Sequence, residues 1–441
     1  MRTIAFWLSL ILIFMLPWEE TISFPGLGTV GRVTGLFVAA FWLLTVVITG
    51  RFRKPRPFHV IILLFFLWNI ASTLWSVDPK TTSEAVDTHL QMVGFILIIW
   101  DLYTTSEAVS AGLQAYVLGA YVVIASTVSN YLTGTETTWL RYSAKGYQAD
   151  TTGLFLAIGL PVAWHLAASG GNSKKSQVLK LVNYAYIPAA IFAISLTATR
   201  FALLATLPAF LFGTGTFVRL KPLSRVLIFV ILAGALFALP SLIPQSSLQR
   251  LATTADEISS GDLSGRTAIW REGLAVFAAH PLIGIGSGAY PSAIESGRSA
   301  HNSFLQVSTE LGMIGFLLFG IVLAMTVYHA IHQPKWDSRF WLAVILVWAL
   351  GNLAMSWAYK KPTWLFLNLV VVAANVSVHS VESRRRSQFP VKSPALLKGE
   401  IDETSEIAPS ARATGFGNVD SGSRLPFRSG TGQSSQHFPY G

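Results

Sequence analysis

The sequence predicts an all-α polytopic membrane protein with about twelve transmembrane helices and one long outward-facing loop. Of the 441 residues, 52% are hydrophobic and only 12% are charged, about half the charged fraction of a soluble domain. Apolar runs long enough to cross a bilayer recur along the chain, and lysine and arginine are concentrated in alternate connectors. These three observations exclude an ordinary soluble domain.

Each predicted span is an apolar run that can cross a bilayer, the shorter ones with little tilt. The first run ends at Pro17 without a small-residue cleavage site, so we interpret it as a retained span and not as a signal peptide. The two runs that flank Arg200 could also form one broken helix. We place the spans near residues 3–17, 33–50, 58–75, 88–102, 109–132, 151–168, 182–198, 201–218, 224–243, 302–331, 339–357 and 363–380.

The charges of the connectors predict the orientation of the chain, because short cytoplasmic loops carry an excess of lysine and arginine. One alternate set of connectors is basic: Arg51, Arg53, Lys54, Arg56; Lys174, Lys175, Lys180; Arg219, Lys221, Arg225; Lys335, Arg339; and Arg384, Arg385, Arg386. The opposite set carries Glu19, Glu20, Asp78, Glu84 and the long connector from Pro244 to Ala300. Both termini should therefore face the cytoplasm, and the long connector should face outward.

These patterns divide the chain into four segments. Residues 1–243 hold the first nine spans, 244–301 form the outward loop with a short amphipathic helix, 302–380 hold the last three spans, and 381–441 form a disordered cytoplasmic tail. The arginines that begin the tail should contact anionic membrane lipids. We attribute the net charge of +10 to this topology and expect no nucleic-acid partner.

The basic residues that could bind a substrate or take part in catalysis lie at the outer ends of the predicted spans and in the outer loops. They are Arg200, Arg266, Arg271, Arg298 and His301, with Arg141 and Lys145 in an earlier outer loop. Arginine binds phosphate through two parallel hydrogen bonds and stays charged, so this set suits a lipid-linked anion. Because the sequence has no cysteine, metal-binding motif or phosphate-binding glycine loop, we expect no metal, no other cofactor and no nucleotide hydrolysis.

His301 is the candidate general base of this set. We expect it in the first turn of a helix, whose positive end would disfavour the imidazolium, and a neutral imidazole can accept a proton from a sugar hydroxyl. Asn302 beside it is a further candidate substrate contact. Structural alternatives remain: His301 could cap its helix, Arg200 could extend its side chain to the interface, and the arginines after Gly265 could form a solvated helix face.

A buried carboxylate adds a structural expectation. Glu310 lies inside a predicted span, where an unpaired charge would be costly, so we expect a structural partner for it, with an arginine as one candidate. The glycines at 284, 286 and 288 favour a tight re-entrant turn, since no strand precedes them as in a dinucleotide-binding loop.

The order of three motifs resembles the O-antigen ligase and polymerase family of bacterial envelope enzymes. They are R-T-x-x-W from Arg266, H-P-L-x-G-x-G-x-G-x-Y from His280, and A-H-N-S-F-L-Q-x-x-x-E-L-G-x-x-G from Ala300. The resemblance covers roughly residues 195–320, with weaker similarity at 74–79 and 153–161. It implies a metal-independent glycosyltransferase of the C-type fold class in the bacterial inner membrane. Such an enzyme moves a glycan from an undecaprenyl-diphosphate carrier to an acceptor at the periplasmic face.

The same resemblance implies roles for individual residues. It places the general base at His301 and diphosphate-binding arginines at Arg200 and Arg266. Arg271, Arg141, Lys145 and Asn302 are further possible substrate contacts. Residues Gln148 and Ala149 depart from the asparagine-containing turn of many relatives, which leaves a substrate-contacting role of residues 146–153 open.

The acceptor is not decided by the motifs. A lipid A core would make the protein a ligase, a second carrier-linked glycan would make it a polymerase of O-antigen or exopolysaccharide, and a protein hydroxyl would make it an oligosaccharyltransferase. The absence of a sizeable soluble domain in the sequence favours the first two. A transporter of lipid-linked sugars is a different class, disfavoured because the polar residues gather at one face and no repeated halves are evident.

Overall fold

The computed structural model is mostly α-helical. It describes residues 1–136, 141–169, 173–217 and 265–388, with isolated positions between 225 and 245. A two-stranded antiparallel ribbon, β1 (Ser23–Phe24) and β2 (Gly28–Thr29), joins the first two helices. Residues Met1–Ser383 form one compact unit.

The described residues contain thirteen α-helices, numbered here in chain order. They are α1 (Arg2–Met15), α2 (Val30–Thr49), α3 (Pro57–Ala71), α4 (Pro79–Leu102), α5 (Ser106–Leu132), α6 (Ala149–Ser169), α7 (Lys174–Leu196), α8 (Arg200–Ala205), α9 (Leu207–Phe217), α10 (Arg266–Ala279), α11 (Ser303–Ile331), α12 (Lys335–Asn352) and α13 (Lys361–Gln388).

Eight of these helical segments are long and apolar enough to cross a membrane: 30–49, 57–74, 79–102, 106–132, 149–169, 174–196, 303–331 and 361–378. Two more apolar segments, Arg2–Trp18 and Arg200–Gly215, are shorter. The prediction of an α-helical polytopic membrane protein is confirmed, whereas the count of twelve spans stays a prediction. The span predicted near 224–243 lies outside the described residues.

The chain around Arg200 is broken twice. Helix α7 ends at Leu196, α8 covers only Arg200–Ala205, and α9 begins at Leu207. Between α7 and α8, Ala198 has a φ of 48°, a left-handed conformation that is costly for alanine. The predicted break before Arg200 is therefore present, and the segment after it is two short helices instead of one long span.

The glycine-rich turn after α10 docks onto a break inside α11. Gly312 has φ 64° and ψ −167°, which interrupts the helical hydrogen bonds. Gly286 N–H donates to the Glu310 carbonyl at 2.8 Å, and Met313 N–H donates to the Pro281 carbonyl at 2.8 Å. The turn thus satisfies backbone groups that the kink would otherwise leave unpaired in a membrane protein.

Residues 74–79 complete this junction from the other side. Trp75 Nε1 donates to the Ile283 carbonyl at 3.1 Å, and Val77 N–H donates to the Ile285 carbonyl at 2.9 Å. Asp78 caps α4 and accepts a hydrogen bond from Ser292 Oγ at 2.7 Å. The two separate motifs therefore meet in one packed turn.

The last helix is longer than expected. Helix α13 continues to Gln388, so the segment predicted as a disordered tail from residue 381 begins as helix. Arginine is a good helix former, which fits the continuation through Arg384, Arg385 and Arg386. The remainder of the predicted tail lies outside the described residues.

We expect Gly312→Ala to destabilise the protein strongly. Gly312 has a positive φ, and an added Cβ would collide with the backbone of Leu282 and Ile283. Strain and overpacking together should lower the free energy of unfolding by about 2–5 kcal/mol, measured by thermal unfolding in detergent. Gly320→Ala in the same helix is the control, because an added Cβ there meets open space. Equal stability of the two variants would contradict the role of the junction.

Candidate active site

Helix α10 is fastened to the loop that precedes α11. Trp270 Nε1 donates to the Ala300 carbonyl at 2.9 Å, and the Tyr290 hydroxyl donates to the Ile269 carbonyl at 2.9 Å. A small apolar cluster of Ile269, Tyr290, Ile294 and Ala300 is buried behind these bonds. The tryptophan of the R-T-x-x-W motif thus fixes the start of α10 beside His301.

His301 stands just outside α11. The helix begins at Ser303 and its N-cap is Asn302, whose side-chain oxygen accepts from Phe304 N–H at 2.9 Å and Leu305 N–H at 3.0 Å. The prediction that His301 lies in the first helical turn is wrong, because Asn302 provides the cap. Because the side-chain oxygen of Asn302 is used by the cap, its amide nitrogen is the group for which a substrate contact stays a prediction. His301 has a φ of 46°, a strained conformation of the kind that gathers at functional sites.

A carboxylate that is not among the sequence-based candidates lies between two of the candidate arginines. Asp150, in the first turn of α6, forms an ion pair with Arg141, and its Oδ2 is 3.5 Å from Nη2 of Arg266. The three side chains are 18%, 14% and 13% exposed, so they are mostly withdrawn from water. Asp150 therefore joins the start of α6, the loop that precedes it and the start of α10.

The same group is bonded to the turn before α8. Arg141 Nε donates to the Thr197 carbonyl at 2.8 Å, and its Nη2 donates to Thr199 Oγ1 at 2.7 Å. Thr199 Oγ1 in turn donates to Asp150 Oδ1 at 3.2 Å. The strained Ala198 lies between these two threonines, so the hydrogen bonds on both sides hold its backbone in place.

Arg200 lies in the same region, because the next residue, Phe201, contacts Arg266. The Arg266 guanidinium carbon is 5.0 Å from the centre of the Phe201 ring, a cation–π distance. Gly153 permits the close approach of α6 to α8, since an added Cβ there would meet Ala202 at 2.6 Å. Arg200, which begins α8, is thus adjacent in sequence to a residue that contacts Arg266.

The charges around His301 favour its neutral form. Burial lowers the pKa of His301 below its ordinary value, Arg266 lowers it further, Asp150 raises it, and Arg298 lowers it. The position of His301 near a helix end predicts a lowered pKa, whereas burial is the largest cause. These couplings also place Arg266, Asp150 and Arg298 within electrostatic range of the imidazole.

Two of the candidate cations are not drawn into this group. Arg271 has an exposed side chain, and five residues after Arg266 it points about 140° away around the helix. Lys145 is also exposed, and its backbone carbonyl accepts from Thr21 Oγ1 at 3.0 Å, which ties its loop to the segment after α1. Their roles as substrate contacts stay predictions.

Asp150 could have been found from charge balance. Several arginines beside the apolar part of a membrane protein need a counter-charge, and Asp150 is the acidic residue that begins the adjacent span. It lies in the stretch 146–153 whose role was left open, next to the departures at Gln148 and Ala149.

Among the contacts of the described residues, Glu310 has a structural partner, and that partner is not an arginine. It is fully buried, and its Oε1 accepts from Gln306 Nε2 at 3.1 Å. The expected structural partner is present, and the suggested arginine was wrong. The backbone carbonyl of Glu310, which accepts from Gly286 N–H, holds the glycine-rich turn from inside α11.

The charge of the site is carried by arginines and one aspartate. In the part of the chain that the structure describes, no group of three or more His, Cys, Asp or Glu side chains could hold a metal ion. The arrangement can bind an anion through guanidinium groups and can take up a proton on an imidazole.

Comparison with known proteins bears on the family to which this chain is similar. Residues 185–320 match the family model described as O-antigen ligase, a range that includes Arg200, Arg266 and His301. The exopolysaccharide production protein ExoQ of Rhizobium meliloti (strain 1021) is 24% identical over 334 residues, which cover 70% of this chain and 74% of that protein. These findings confirm the resemblance carried by the three motifs, and with the eight apolar helices they support a polytopic membrane protein of the O-antigen ligase and polymerase family.

Proposed function

We propose that this protein is a metal-independent, inverting glycosyltransferase that moves a glycan from an undecaprenyl-diphosphate carrier to an acceptor hydroxyl. The observation that carries the proposal is the pairing of a half-buried His301 of lowered pKa with the Arg266–Asp150–Arg141 group. The family match and the exopolysaccharide relative support the substrate class. The charge bias of the connectors supports a site at the periplasmic face of the inner membrane.

We assign the diphosphate contact to Arg266, which opens the R-T-x-x-W motif and whose Nη2 lies 3.5 Å from Asp150 Oδ2. Arg141 is held by Asp150, Thr197 and Thr199 together, so we assign it a structural role. In this proposal Arg200 supplies the second guanidinium, and Arg141 keeps Asp150 in position.

His301 acts as the general base. Its neutral imidazole removes the proton of the acceptor hydroxyl, and the acceptor oxygen attacks the anomeric carbon from the face opposite the carrier. The bond between that carbon and the diphosphate oxygen breaks, and the negative charge that develops on the diphosphate is stabilised by the arginines. The proton then leaves His301 for water or the departing diphosphate, which restores the base.

A second candidate is the polymerisation of exopolysaccharide repeat units, because the relative that aligns with most of the chain is an exopolysaccharide production protein. The two activities separate in a purified system. A polymerase lengthens the glycan when carrier-linked donor is the only substrate, whereas a ligase gives product only when a distinct acceptor such as a lipid A core is added.

We expect His301→Ala to lower the transfer rate by at least about 100-fold, the usual contribution of a positioned general base. Transfer is measured with purified protein and carrier-linked glycan in buffer containing a chelator, since no metal is assigned a role. His332→Ala is the control, because His332 is exposed at the far end of α11. Near-normal turnover of a folded His301 variant would remove it as the base.

We expect Arg266→Gln to lower the transfer rate by roughly 10²–10³, because it removes one donor to the developing charge. Arg339→Gln in α12 removes an equal charge from an exposed position outside the site and should retain near-normal activity. Initial rates at saturating donor make the comparison. Similar losses in both variants would indicate a general charge effect and not a diphosphate contact.

The rate should fall as the pH drops through the pKa of His301, because only the neutral imidazole accepts a proton. That pKa is lowered, so the acidic limb lies below the ordinary histidine range. Arg298→Gln removes a positive charge that lowers the pKa of His301, so the acidic limb of the rate profile should move to higher pH by roughly half a unit. Asp150→Asn should move it to lower pH. If both variants showed the same profile of kcat/KM against pH as the unaltered protein, His301 would not be the base whose pKa sets the acidic limb.

A further inference from the structure

An apolar groove of about 700 Å³ lies between α1, α5 and α7. We call it the α1–α5–α7 groove. Its walls include Trp7 and Ile11 from α1, Leu118 from α5 and Leu179 from α7. Trp7 is 61% exposed and Ile11 is 46% exposed, so a large apolar surface is open along the groove.

One end of the groove is basic and hydroxyl-rich. Lys175, Lys180, Ser173 and Ser176 line it where α7 begins. Among the described residues, neither lysine has an acidic side chain within ion-pair distance. The floor of the groove is polar but uncharged, because the side-chain amides of Gln114 and Asn183 lie there and bond to each other at 2.8 and 3.1 Å. Unbalanced positive charge is therefore confined to the end of the groove.

The dimensions fit one leaflet of a bilayer. From Ser110 to Leu118 the groove follows eight residues of α5, about 12 Å, against about 15 Å for half of a hydrocarbon core. An acyl chain can therefore lie along the walls while its headgroup reaches the lysines.

The groove is distinct from the proposed active site. Helix α7 has its groove lysines near its first residue, and its last residue, Leu196, directly precedes Thr197, which binds Arg141. A helix of 23 residues is about 34 Å long, so one headgroup cannot contact both ends. By the charge bias of the connectors, the groove opens to the cytoplasmic leaflet.

We propose that the α1–α5–α7 groove binds a glycerophospholipid with an anionic headgroup. Its acyl chain packs against Trp7, Ile11 and Leu179, and its phosphate lies within reach of the long side chains of Lys175 and Lys180, which both line the groove. Charge complementarity selects this occupant, because basic pockets between transmembrane helices bind anionic headgroups. The binding is independent of the catalytic proposal.

The test measures lipid binding by native mass spectrometry of the delipidated full-length protein. Phosphatidylglycerol is compared with phosphatidylcholine of the same acyl chains. The double variant Lys175→Ala with Lys180→Ala should bind phosphatidylglycerol roughly 10- to 30-fold more weakly, from the usual contribution of two lysines near a lipid headgroup. Phosphatidylcholine should bind weakly to both proteins.

A charge-matched control removes two lysines from elsewhere. Lys54→Ala with Lys174→Ala changes exposed residues that do not line the groove and should leave phosphatidylglycerol binding unchanged. Equal weakening in the two double variants would overturn the proposal, as would equal binding of the two lipids by the unaltered protein. Glycerol phosphate that binds as tightly as the lipid would show a simple anion site and would also overturn it.

A further variant tests the apolar part. Ala111→Leu adds bulk to the groove wall and should weaken binding of the lipid without removing charge. Its folding is checked by thermal unfolding. Unchanged lipid binding in the folded variant would place the lipid elsewhere.

Discussion

The ion pairs of Asp150 constrain much of this structure. Charged groups beside the apolar part of a membrane protein are costly unless each meets an opposite charge or a hydrogen-bond partner. Asp150 meets Arg141 and Arg266 at once, and Arg141 extends the group to the turn before α8. Three segments that are distant in sequence are thereby held together, and the charges of Asp150 and Arg266 act on the nearby His301.

The second constraint is the satisfaction of backbone groups. A kink in α11 at Gly312 exposes carbonyls that water cannot reach, and the glycine-rich turn and the Trp68 indole supply the donors. Ala198 and His301, the non-glycine residues with positive φ in the described chain, both border the proposed site. Their strain is sustained by the packed turns on either side and keeps the site in one geometry.

Much of the site could be predicted from composition and motif order. Guanidinium groups, an imidazole and a tryptophan at fixed spacing indicate anion binding and proton transfer whatever the tertiary structure. Charge partners could not be predicted in the same way, because an ion pair depends on distances between segments. Asp150 was therefore missed, an arginine was wrongly suggested for Glu310, and Asn302, not His301, proved to be the helix cap.

The sequence by itself determined the class of the protein and the residue types of its site. Hydropathy and charge bias are summed along the chain, so they specify a helical membrane protein without knowledge of its packing. Only the tertiary structure decided which arginines pair with Asp150, that burial is the main reason for the lowered pKa of His301, and that a lipid-sized groove opens at the other end of α7. These depend on which side chains share a low-dielectric space, and that is set by the fold and not by sequence spacing.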